Sequence, residues 1–159
     1  MEKEIAKKIF HWSKGKRTGP FKLQLNPTNK CNLKCRFCWL RDFDSGTLNF
    51  DEISHKKYMK IIEEADDLGV REIEITGGGE PMMRKDMIKI IESIKKHGMK
   101  GRLITNGTLL NETIIEKLIA ISWDEIVISL DAPDMRINDY LRGKDLLRRL
   151  QTQLKIFRS

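Results

Sequence analysis

The chain of 159 residues has only three cysteines, two tyrosines and four prolines, and no apolar run approaches the ~18 residues of a membrane span. The lack of such runs, with charged residues at 33% and hydrophobic residues at 40%, describes a soluble globular protein and excludes an integral membrane one. Residues 1–13 carry Glu2 and Glu4 among the lysines and have no apolar h-region, so a secretory signal is not expected and the cytoplasm is. Charge of one sign is not concentrated either. The formal net charge of +7 would suit a polyanion, yet lysines and arginines are spread along the chain and interleaved with acids, which argues against a nucleic-acid partner. The length fits one domain with a sizeable core. The scarce cysteines are not scattered: all three lie in CNLKCRFC, residues 31–38. An odd number packed this tightly in a cytosolic chain argues against a structural disulfide framework and for a metal site.

What is present is an alternation of strand and helix patterns. Residues 21–28 (FKLQLNPT) alternate through Phe21, Leu23 and Leu25 and meet Pro27, a first strand ending before the cysteines. Residues 51–68 carry Tyr58, Ile61, Ile62, Ala65 and Leu68 at helical spacing, with Gly69 as the stop. A second strand, 70–75 (VREIEI), runs into the glycines of TGGGEP. Met87, Ile90, Ile91 and Ile94 form the next helical stripe, closed by His97 and Gly98. GRLITNG is a third strand and its turn, Asn111 caps a helix with Ile114, Ile115, Leu118 and Ile119 inward, and 124–132 (DEIVISLDA) is a fourth strand. Residues 144–157 form a basic tail helix. A helix over 2–12, with Ile5, Ile9 and Trp12 on one side, caps the bottom of the sheet, and 15–20 (GKRTGP) links it to a core of residues 21–159. Such alternation implies an α/β fold with a parallel sheet, open or curved into a barrel, whose ligands bind at the carboxyl ends of the strands.

Those ends carry Cys31, Cys35 and Cys38; Gly77, Gly78, Gly79 and Glu80; Thr105 and Asn106; and Ser129 and Asp131. Three thiolates can hold three irons of a cubane cluster and leave the fourth open, whereas a closed zinc site wants four protein ligands. None of His11, His55 and His97 stands at zinc-finger spacing from the cysteines. The pattern C-x3-C-x2-C, with Phe37 before the last cysteine, followed by the GGEP turn, the TNG turn and the SLDA segment, resembles the radical S-adenosylmethionine (radical SAM) superfamily. Within it, the branch resembled is that of molybdenum-cofactor and peptide-maturation (SPASM-type) enzymes.

The resemblance implies a partial triosephosphate-isomerase-like barrel, a [4Fe-4S] cluster on Cys31, Cys35 and Cys38, and S-adenosylmethionine (SAM) chelated at the open iron. It implies reductive cleavage of SAM to a deoxyadenosyl radical that abstracts hydrogen from a peptide or small molecule. In that reading Gly78 and Gly79 admit the methionine end and Glu80 sets a negative charge beside its ammonium. Phe37 lies near the adenine, Ser129 and Asp131 near the ribose, Thr105 and Asn106 near cofactor or substrate, and Arg142 near the cofactor carboxylate. Lys34, Arg36 and Arg41 flank the cysteines and suit an acidic electron donor, reduced flavodoxin or ferredoxin. Met82 and Met83 are packing residues, and Trp39 covers the cluster edge. Gly79→Val is expected to block SAM while sparing the cluster. Only about four of the family's six strand-helix units can be counted, so the chain corresponds to the amino-terminal part of the core. It is either an enzyme or part of one, or a non-catalytic cluster-binding scaffold that needs a partner chain to supply the missing strands.

Overall fold

The computed structural model describes residues 2–42 and 52–143, together with 146, 148, 150 and 151. The elements run α1 (Glu2–Ser13), β1 (Lys22–Leu25), α2 (His55–Asp67), β2 (Glu72–Ile75), α3 (Met87–Lys96), β3 (Lys100–Thr105), α4 (Glu112–Ala120), β4 (Glu125–Ile128) and α5 (Met135–Arg142). Short 3₁₀ turns follow the last cysteine (Trp39–Asp42) and the glycine run (Pro81–Met83). The four strands pair in the order β1-β2-β3-β4, every pair parallel. This is the expected strand-helix alternation, and it brings all four strand ends to one rim.

The period of two along the strands separates the sheet's faces. Leu25, Ile73, Ile75 and Leu103 are buried in a core with Ile62 and Ala65 of α2, Ile90, Ile91 and Ile94 of α3, and Ile115 and Leu118 of α4. Each isoleucine so buried is worth roughly 1.5–3 kcal/mol. The other face is charged. Lys22 reaches Glu72 at 3.0 Å and Glu74 at 2.6 Å, and Arg102 reaches Glu74 at 3.5 Å and Glu125 at 3.4 Å, so one ladder of ion pairs crosses all four strands. Its hydrogen bonds to Glu74 and Glu72 raise the Lys22 ammonium above its ordinary value.

Several boundaries differ from expectation. The helix expected over 51–68 begins only at His55, because the Ser54 side chain accepts from Lys57 N and caps it. Glu52, ahead of that cap, instead accepts from Thr28 Oγ1 at 2.7 Å. The strands are shorter than their apolar alternation, since residues beyond Leu25, Ile75, Thr105 and Ile128 turn into the rim. Helix α1 does cap the amino ends of β1 and β2, but through a cation rather than an apolar stripe. Lys8 Nζ donates to the carbonyls of Gly19, Pro20 and Gly69 at 2.7–3.2 Å, while Ile9 and Trp12 are exposed. Helix α5 was not foreseen as an element, although Asp134 caps it by accepting from Ile137 N, and Gly143 closes it at φ +127°. Most of the expected tail helix lies outside the described residues. Leu146 and Leu150 are described and buried.

Two side chains fix the exit of β1 toward the cysteines. Tyr58 of α2 donates to the Asn26 carbonyl at 3.0 Å, and Arg84 donates to the Pro27 carbonyl at 3.2 Å. Arg84 lies over the Tyr58 ring at 4.5 Å and is paired with Asp86, which also meets His55 at 2.8 Å. Burial works to raise the Asp86 carboxyl, but Arg84 and His55 outweigh it and hold the group below its ordinary value. A depressed native pKa stabilises the fold fully above the unfolded value, about 3.9, and that contribution is lost as pH falls through the native value. Asp86→Asn is therefore expected to cost about 1–3 kcal/mol at pH 7. The gap between variant and wild type should narrow in urea melts below pH 4, and an equal gap at pH 7 and pH 3 would count against this role.

Candidate functional site

The site is built on the segment that leaves β1. After Leu25 the backbone runs beside the glycine segment that follows β2. Thr76 N donates to Leu25 O at 3.0 Å, Gly79 N to Thr28 O at 3.1 Å, and Glu80 N to Lys30 O at 2.8 Å. Close approach explains the glycines. A Cβ on Gly79 would lie 2.1 Å from Lys30 O, and one on Gly78 would lie 2.3 Å from Asn29 Oδ1 and 3.1 Å from the Trp39 ring. The glycine turn is thus held directly against the entry to Cys31.

Cys31 is exposed, Cys38 half-buried and Cys35 buried. Cys38 N donates to Cys35 O at 3.1 Å, and Leu33 N contacts Cys31 Sγ at 3.5 Å. Burial raises the Cys35 thiol above its ordinary value. The Arg142 guanidinium opposes this, while Cys31, Cys38 and Asp131 add to it. Burial likewise raises Cys31, with the Leu33 amide opposing and the Glu80 carboxylate adding to the rise. Among the described residues, no three His, Cys, Asp or Glu side chains gather round one point as the ligands of a single ion do. A cubane cluster asks for something else, because each thiolate takes a different iron. Three thiols on one loop, one of them open at the surface, fit that demand. His55 and His97 are engaged elsewhere, with Asp86 and with the Ser93 carbonyl.

Glu80 is 2% exposed and is the buried acid at the centre of the rim. Its Oε1 accepts from Thr105 Oγ1 at 2.6 Å and from Met82 N at 3.1 Å, and its Oε2 accepts from Asn106 N at 2.7 Å. A carboxylate offers about four acceptor positions, and three of them are filled among the described residues. Thr105 and Asn106, both buried, therefore belong to the same constellation. Met82 is partly buried against the core, as a packing residue would be, whereas Met83 is exposed.

Ser129 donates its N–H to Thr105 O at 2.9 Å, which carries the fourth strand end to the same rim. Asp131 is engaged by Arg142, which grips both carboxylate oxygens through Nε and Nη2. The Arg142 guanidinium also lies 5.3 Å from the centre of the Phe37 ring. Helix α5 thereby docks on the cysteine loop: Arg36 N donates to Leu141 O at 2.8 Å, and Cys35 Sγ to Arg142 O at 3.7 Å. Phe37 and Trp39 are 57% and 55% exposed beside the exposed Lys34 and Arg36, so they leave the cysteine loop with an open aromatic and basic margin. The side chain of Arg41 lies outside the described residues. Sequence reasoning missed Asn32 and Thr108, which bond to each other and to Asn106. It also missed Arg84, and it marked Tyr58 only as an inward position of a helix; both hold the loop's entry. Hydrophobic periodicity marks neither role.

The profile of the Radical SAM superfamily matches residues 25–158. The chain belongs to the radical SAM superfamily. Members of this superfamily use a [4Fe-4S] cluster and SAM. Among curated relatives, a probable GTP 3',8-cyclase of Methanococcus maripaludis is 37% identical over 122 residues, 76% of this chain and 39% of that protein. A PqqA peptide cyclase of Granulibacter bethesdensis is 30% identical over 128 residues, 78% of this chain and 32% of that protein. The chain thus spans well under half the length of the radical SAM relatives it matches. Among solved structures, Streptococcus suis SuiB bound to S-adenosylmethionine superposes with a TM-score of 0.73 at 27% identity, over 98% of this chain and 34% of SuiB. The AdoMet-bound anSMEcpe superposes with a TM-score of 0.72 at 22% identity, over 87% of this chain and 41% of the other, a likeness of fold. The parallel four-stranded sheet alternating with helices is the α/β architecture expected of a radical SAM core, and among the described residues no helix is long and apolar enough to cross a membrane.

Proposed function

We propose that this chain is the cluster- and SAM-binding part of a radical SAM enzyme, with residues 1–20 as a helix and linker and residues 21–159 as the core. Cys31, Cys35 and Cys38 supply the three thiolates of the cluster. The observation that carries the reading is Glu80, a buried carboxylate held by Thr105 Oγ1 and Asn106 N, with one of its roughly four acceptor positions unfilled among the described residues. That position suits the ammonium of an amino acid. Gly78 and Gly79 bring backbone close to it, Ser129 and Asp131 edge the pocket from β4, and Phe37 shields the cluster side. When bound, the cluster and SAM supply reductive cleavage and, with it, hydrogen abstraction from a peptide or small molecule. The protein's own part is to orient, to exclude water and to place charge.

The exposed Lys34 and Arg36, with the exposed Phe37 and Trp39 following them, suit an acidic electron donor such as reduced flavodoxin or ferredoxin. A cytoplasmic setting follows from that partnership.

The test is oxygen-free reconstitution with iron and sulfide, followed by titration with SAM and observation of the cluster's electron paramagnetic resonance signal. Wild type should develop broad visible absorption and a SAM-dependent change of signal. Glu80→Gln should keep its iron and bind SAM about 1–3 kcal/mol more weakly, the usual loss when a charged hydrogen-bond partner is removed. Unchanged affinity in this variant would take Glu80 out of the SAM site.

A further inference from the structure

Helix α1 turns three of its large apolar side chains to solvent: Ile9 is 59% exposed, Phe10 59% and Trp12 74%. No side chain of α1 is buried, so packing against the core does not account for them. Ile5, Ile9 and Trp12 stand four and three residues apart and share one side of the helix. Phe10 lies on another side, where the Lys14 ammonium is 5.8 Å from the centre of its ring. Such a grouping differs from the single apolar residues scattered over any protein surface. The charge around it is of one sign. Residues 2–17 hold six cations, Lys3, Lys7, Lys8, Lys14, Lys16 and Arg17, against the two acids Glu2 and Glu4. Lys8 is spent on the carbonyls of Gly19, Pro20 and Gly69, and Glu4 is paired with Arg71 at 3.3 Å. These two contacts fasten the helix to the body of the protein and leave the charge it presents outward positive.

Interfaces between proteins are depleted of lysine, and five of the six cations here are lysines. Exposed aromatic and aliphatic side chains among lysines suit instead the boundary of a bilayer, where tryptophan settles at headgroup depth and lysine stems reach back to the lipid phosphates. We propose that α1 and the basic linker through Arg17 form a docking element for an anionic lipid surface. Ile9, Phe10 and Trp12 enter the headgroup region, and Lys3, Lys7, Lys14, Lys16 and Arg17 meet its negative charge, as juxtamembrane basic segments do. The placement of α1 suits this role. It caps the amino ends of β1 and β2, whereas the cysteines, the glycine turn and Glu80 gather at the carboxyl ends, so a bilayer at this pole leaves the cysteine rim open. Neither the cluster nor SAM takes part in the docking.

The experiment is flotation of the whole chain with vesicles of phosphatidylcholine alone and of phosphatidylcholine mixed with phosphatidylglycerol. It is run at about 0.1 M and about 1 M salt, between which the screening length falls from about 10 Å to about 3 Å. The chain should float with the anionic vesicles and not with the neutral ones, and high salt should release most of it. Trp12→Ala should weaken binding at least about tenfold, because burial of a large aromatic side chain is worth more than a decade in a binding constant. Lys16→Glu combined with Arg17→Glu should abolish flotation. All three side chains are exposed, so the helical signal of both variants should match wild type. Equal binding by Trp12→Ala and wild type would mean that net charge alone attracts the vesicles, and would overturn the proposal. Absence of flotation with anionic vesicles overturns it as well. If the chain instead self-associates in sedimentation and Trp12→Ala does not, the occupant of this face is a second copy of the chain and the lipid surface is ruled out.

Discussion

Gly79→Val is expected to abolish cluster uptake together with much of the stability of the fold. The Cβ it adds would lie 2.1 Å from Lys30 O and 2.6 Å from the carbonyl carbons of Asn29 and Lys30. These are backbone atoms of a segment already tied to the glycine turn by Gly79 N to Thr28 O and Glu80 N to Lys30 O, so neither side can yield alone. Relief requires the two segments to part, which breaks both hydrogen bonds, displaces Glu80 from Thr105 and Asn106, and shifts the entry to Cys31. The cost should exceed about 4 kcal/mol, the range reserved for substitutions that disrupt a packed network. This differs from the expectation drawn from sequence, in which valine would exclude SAM and leave the cluster intact. Thermal melting and iron content measured on the same sample decide the matter. A variant that melts like wild type, keeps its iron and loses only SAM would show that the loop adjusts and that the earlier expectation was right.

Cys35→Ala is expected to reduce iron incorporation nearly to zero while leaving the helical signal unchanged. Two thiolates remain, and Cys31 and Cys38 cannot by themselves hold three corners of a cubane. The fold does not depend on the sulfur in the same way. Cys35 is buried at the margin beneath α5, its contact to Arg142 O is long at 3.7 Å, and the main core lies on the helix-covered face of the sheet. Removing one small buried group there should cost about 1 kcal/mol. Iron per chain after reconstitution, read beside far-ultraviolet circular dichroism, separates the outcomes. Loss of the helical signal would mean that the cysteine serves the architecture, and retention of iron would remove Cys35 from the ligand set.

Tertiary structure changed the meaning of several residues that the sequence had already brought forward. Glu80 was expected as a charge beside an ammonium, and in the structure it is the acceptor that joins the turn after β2 to the end of β3. Asp131 was expected to face the ribose, and its carboxylate is held by Arg142 from α5. Arg142 was assigned to the cofactor carboxylate, and in the structure it joins Asp131, the Phe37 ring and, through its carbonyl, the Cys35 thiol. In each case the residue type was legible and the partner was not. Partners separated by 11 to 107 residues are chosen by strand register and helix docking, which leave no local trace.

By itself the sequence determined the elements whose cause is local. The apolar alternation of EIEI separates a buried face from a charged one, the isoleucine stripe of α3 makes an amphipathic helix, and the spacing of Cys31, Cys35 and Cys38 confines three thiols to one loop. These rest on backbone periods of 2 and 3.6 residues and on chain connectivity, so neighbours suffice to set them. Only the tertiary structure decided that Gly79 must lack a side chain to meet Lys30, that Glu80 is buried under Thr105 and Asn106, and that Asn32, Asn106 and Thr108 close a ring beside Cys31. Those contacts form where parallel strands bring distant turns to one rim. Their geometry is a property of the assembled sheet, which no single segment carries.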